Sequence, residues 1–143
     1  MKKLSFIVIV LAIIGLLSIP IYFVSQFSST YPPIEEYDIS KDLDKLIDDI
    51  NIISNSTNIS FNITDTTGTI ERGFSYYANI EIQVDLNEYN YYIKFDKDNN
   101  KKSIISLIGA FDLKNKTGGY KKKDRMVYEL TKIFEYKFIN KVK

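Results

Sequence analysis

The chain has 143 residues, 45% of them apolar and 14% aromatic, which is enough for one domain with a packed core and too apolar for wholesale disorder. A formal charge of +1 gives no global attraction for nucleic acid. There is no His, Cys or Trp, which excludes His or Cys metal centres, Cys nucleophiles, Ser-His-Asp triads, disulfides and lipoprotein acylation, so a non-enzymatic protein without a cofactor is expected.

The first predicted element is a membrane anchor. Leu4 to Val24 is an uncharged run of 21 residues, about the length that spans a bilayer core. Lys2 and Lys3 precede it, whereas Glu35, Glu36 and Asp38 follow before the next base, Lys41. The positive-inside rule therefore places the N-terminus in the cytoplasm and the rest of a single-pass chain outside. The run exceeds the roughly 7 to 15 residues of a signal-peptide core, and no Ala follows Ala12 in it, which favours an uncleaved anchor over a cleaved signal. The expected organisation is an anchor at 1–27, a spacer at 28–37 stiffened by Pro32 and Pro33, and an extracytoplasmic α+β domain at 38–143.

Within the domain, Ser40 as N-cap and Leu43, Leu46, Ile47 and Ile50 at helical spacing predict a helix over 40–53. Ile59, Phe61 and Ile63 alternate with polar residues as in a half-buried strand that ends at a turn around Gly68. The strongest alternation runs from Phe74 to Leu86. A two-residue turn at Asn87 and Glu88 would set Val84 opposite Tyr91, Ile82 opposite Ile93 and Ile80 opposite Phe95, with Glu81 facing Lys94 on the polar side. A second hairpin around Asn99 and Asn100 sets Phe95 against Ile105, Ile93 against Leu107, Tyr91 against Gly109 and Tyr89 against Phe111. A last helix over 121–140 carries Met126, Val127, Leu130, Ile133, Phe134 and Phe138 on one side. The predicted fold is α+β: transmembrane helix, helix, four-stranded antiparallel meander, helix.

In that register Tyr92, Ile104, Ile108 and Ala110 project from the outward face of the sheet, a candidate partner-binding patch unless a terminal helix covers it. Residues 114–143 hold ten basic and three acidic side chains, so this helix suits anionic lipid or an acidic partner as well as plain solvation. N-x-S/T sequons occur at Asn55, Asn58, Asn62 and Asn115, which are glycosylation candidates on a surface protein. Asp96, Asp98 and Asn100 begin like a calcium loop, but Lys101 stands where Gly is needed and Leu107 where Glu is needed, so a polar turn is expected and no metal site. Tyr76, Tyr89 and Tyr91 read as core, with a small-molecule or glycan-binding pocket as the alternative.

An N-terminal span, a short helix, then Gly68-Thr69-Ile70 leading to Ala78-Asn79-Ile80-Glu81-Ile82-Gln83-Val84 and further strands resembles small membrane-anchored domains of the cytochrome oxidase assembly factor 1 type, with a cystatin-like layout. That resemblance implies an accessory role in building a membrane complex and a membrane-associated protein partner, and it carries over no catalytic residue.

Overall fold

The computed structural model describes residues 32–69, 73–98 and 101–143. The expected anchor at 4–24 lies outside them, and among the described residues no helix is long and apolar enough to cross a membrane. From Pro32 onward the chain is one compact unit.

Among the described residues the fold is α+β with an antiparallel sheet of six strands rather than four. In chain order the elements are β1 (Glu35–Ile39), α1 (Leu43–Ser56), β2 (Ile59–Thr69), β3 (Gly73–Val84), β4 (Asn87–Asp98), β5 (Lys102–Asp112), β6 (Thr117–Gly119) and a C-terminal helix. That helix is α-helical over Arg125–Phe134, widens to i→i+5 turns over Glu135–Ile139 and closes with Asn140–Val142. The strand order is β1-β5-β4-β3-β2, and β6 shares the β1 side of β5.

β1 begins inside the segment expected to be a spacer. Tyr37 and Ile39 point into the core, and the Ile34 N–H donates to the Leu107 carbonyl at 2.7 Å. The cap of α1 is Asp42, not Ser40, and its carboxylate accepts weakly from the Asp44 N–H at 3.4 Å. Likewise Asp124 caps the C-terminal helix four residues later than expected, accepting from the Met126 N–H at 2.8 Å. Lys121 to Lys123 therefore belong to the preceding turn, and Met126 is 42% exposed instead of buried.

The β3–β4 turn is Asp85-Leu86, two residues earlier than expected, so Ile82 faces Tyr89, Ile80 faces Tyr91, Ala78 faces Ile93 and Tyr76 faces Phe95. Asp85 sits at φ 55°, which a short polar side chain tolerates, and Leu86 is left 85% exposed. The displacement is even, so the same side chains still line the core, although every partner changes. Glu81 faces Asn90, and Lys94 pairs with Asp96 on its own strand at 2.8 Å. β2 does not stop before Gly68 but stays paired through Gly68 opposite Phe74.

Phe95 does face Ile105, and Ile93 faces Leu107. Beyond them a bulge at Ile108 resets the ladder, so Tyr92 faces Gly109, Tyr91 faces Ala110 and Tyr89 faces Asp112. The extra residue reverses the alternation of β5. Ala110 consequently lies in the core at 0% exposure, and Phe111 leaves it.

Both helices pack on one side of the sheet. Leu46 and Ile50 of α1 join Val127, Leu130, Phe134 and Phe138 of the C-terminal helix over Ile80, Tyr91, Ile93, Phe95, Ile105 and Leu107. The domain therefore has two layers, and neither described helix covers the outward face of the sheet.

Candidate functional site

The outward face is organised by the bulge. Once Ile108 is skipped, Phe111 stands beside Tyr92, and the chain leaving β6 brings in Tyr120 as a third ring. Tyr92 meets Phe111 edge-on at 5.5 Å between centroids and stacks with Tyr120 at 6.3 Å, while Phe111 and Tyr120 meet at 5.2 Å. Centroid separations of about 4.5 to 7 Å are those of interacting aromatic pairs. Tyr120 lies directly over Gly109, where an added Cβ would come within 2.8 Å of its ring. Glycine at this position is thus what lets the ring lie flat on the strand.

Of the four residues expected to form a patch, the structure keeps three near this face and does not cluster them. Tyr92 is 37% exposed within the aromatic group, Ile108 is half-buried in the bulge, and Ile104 lies at the far end opposite Asp38 and Asp96. Lys94 and Ser106 form the cross-strand row between Tyr92 and Ile104, and Glu36 accepts from the Ser106 hydroxyl at 3.3 Å. Ala110 is removed to the core. Phe111 and Tyr120, absent from the expected patch, take its place.

Tyr120 is positioned by the turn between β5 and β6. Asp112, 6% exposed, accepts from the Asn115 backbone N–H at 2.9 Å and from its side-chain amide at 2.8 Å. Those two bonds, the backbone one foremost, hold the Asp112 carboxyl below its ordinary 3.8; burial opposes them, and the Lys114 N–H and charge assist. A carboxylate with a depressed folded pKa contributes stability that is complete above the unfolded value and lost as pH falls through the folded one. We therefore expect Asn115→Ala to cost about 1–3 kcal/mol at neutral pH and less at an acid pH low enough to protonate Asp112 in the folded chain. Urea midpoints at the two pH values measure this, and an equal loss at both would contradict it.

The same bond separates the sequons. Asn55, Asn58 and Asn62 are exposed around the α1–β2 corner and along the edge strand β2. Asn115 is exposed too, but its amide nitrogen is already the donor to Asp112.

Tyr91 offers no face to a ligand, being 0% exposed with its hydroxyl donating to the Leu130 carbonyl at 3.0 Å; burial pushes its pKa far up. Tyr89 lines a hollow of about 300 Å³ under the C-terminal helix. In the expected polar turn Asp96 accepts from the Ser75 hydroxyl and pairs with Lys94. Asp49 is paired with Lys41 at 2.7 Å.

Comparison of the chain with protein-family models, with curated proteins and with solved structures gives no match.

Proposed function

We propose that this is a non-enzymatic, membrane-anchored interaction domain. Its N-terminus is cytoplasmic, its α+β domain lies outside, and it serves as an assembly or accessory factor for a membrane complex. The observation that carries the proposal is the cluster of Tyr92, Phe111 and Tyr120 on the side of the sheet that neither described helix covers. Both described helices pack on the other side, and aromatic groups are common anchors of protein contacts. Support for the membrane anchor comes from the uncharged run at 4–24 and the asymmetry of its flanking charges. The resemblance of the sequence layout to membrane-anchored assembly-factor domains is what favours the accessory role.

The test places a photo-cross-linking amino acid at position 92 of the full-length chain in its own cells. One membrane-protein partner is expected, and Tyr120→Ala should weaken its capture by about 2 kcal/mol, roughly thirty-fold in affinity. Capture that ignores Tyr120→Ala, or labelling confined to the chain itself, would remove this reading.

A further inference from the structure

The C-terminal helix buries Val127, Leu130, Phe134, Phe138 and Ile139, so its apolar side is not available to lipid. Its flank carries Lys132, Lys137 and Lys141. In an unbroken α-helix Lys132 and Lys137 would stand about 140° apart around the axis. The wider turns over Glu135–Ile139 reduce that angle, and both side chains line the 300 Å³ hollow floored by Val84, Ile133 and Tyr89. A second hollow of about 180 Å³, bounded by Asn58, Ile59 and Gln83, shares Lys137 and adds Lys141. Lys132 is paired with Glu135 at 2.8 Å, but among the described residues neither Lys137 nor Lys141 has a carboxylate in ion-pair range.

We infer that this groove binds an extended acidic peptide segment of a protein partner. Lys137 and Lys141 are four residues apart, about 6 Å along the axis. Alternate side chains of an extended strand are about 6.6 to 6.8 Å apart, so acids at every second position reach successive ammonium groups. Apolar residues among them have Val84, Ile133 and Tyr136 to pack on. Because Lys132 is neutralised by Glu135 and Glu129 also lines the first hollow, the attraction rests on Lys137 and Lys141, two separated ammonium groups that suit carboxylates spaced on a chain. A compact phosphate calls instead for convergent donors, which an Arg fork supplies best. The site goes beyond the aromatic face, because it belongs to the helix-bearing layer and uses none of the same residues.

The experiment uses the full-length chain in detergent micelles and a fluorescein-labelled peptide alternating Glu and Leu, with a Gln-for-Glu peptide as control. Anisotropy should show saturable binding of the acidic peptide alone, weakened by salt at about 0.5 M. Lys137→Glu should weaken it about tenfold or more. Lys121→Glu, in the turn before the helix, should leave it unchanged. If Lys137→Glu disturbs the near-ultraviolet circular dichroism, Lys141→Glu, at an exposed position, replaces it with the same expectation. The inference is overturned by no saturable binding up to about 1 mM, by equal weakening from Lys121→Glu, or by full displacement with millimolar inorganic phosphate, which would indicate a small-anion site.

Discussion

Phe134→Ala is expected to lower the stability of the domain by about 3–5 kcal/mol, the range for truncating a buried aromatic side chain. The ring is fully buried, 4.8 Å from Tyr91, 5.1 Å from Phe138 and 6.1 Å from Tyr37 between centroids. Its neighbours are poorly placed to collapse into the space. Tyr91 is held by its hydroxyl on Leu130 and by the β3–β4–β5 ladder, and Tyr37 donates to Glu135 at 3.3 Å. The cavity therefore persists and adds to the lost transfer free energy. Against a total of about 5–15 kcal/mol for an ordinary domain, the loss takes a large share. Urea unfolding followed by tyrosine fluorescence measures it, since the chain has eleven Tyr and no Trp. Met126→Ala, on the exposed side of the same helix, should stay within about 0.5 kcal/mol. A Phe134→Ala loss below about 1.5 kcal/mol would mean that the helix is not anchored where it lies.

What sequence patterning conveyed, and what it did not, follows from how many cues each element has. The core face of β3 and β4 was legible because apolar residues at one parity from Phe74 to Val84 and from Tyr89 to Phe95 leave one solution, which an even register shift cannot alter. The turn itself was not, because Asp85-Leu86 and Asn87-Glu88 both join the same alternating runs. Along β5, Ile104, Ile105, Leu107, Ile108, Ala110 and Phe111 supply apolar groups at both parities, so nothing local places a bulge. That single residue decides whether Ala110 or Phe111 faces outward, and with it most of the candidate site. β1 has three alternations beside two Glu, and β6 is Thr-Gly-Gly. Such strands exist only through their pairing with β5. The signal available for Tyr120 was Gly109 itself, since a glycine within a strand marks a close approach by another group.

Gly118→Ala should dismantle the aromatic face while leaving the core folded. Gly118 sits at φ +119°, and an added Cβ would overlap the Ala110 carbonyl oxygen and lie 2.8 Å from the Phe111 Cα. Both obstacles are backbone of a strand paired on its other side to β4, so no rotamer change relieves them. The least costly response is for β6 to leave β5, giving up three paired positions and the Tyr120 contacts. Because local opening caps the penalty, the measured loss should be about 1–3 kcal/mol and not the full cost of the clash. Hydrogen exchange should show fast amides at residues 117–119 and at the facing positions of β5, with β3 and β4 still protected. Capture from position 92 should fall as it does for Tyr120→Ala. Global loss of protection would mean that β6 is integral to the core. Unchanged capture with β6 detached would mean that Tyr92 and Phe111 form the contact without Tyr120, shrinking the proposed face to the sheet itself.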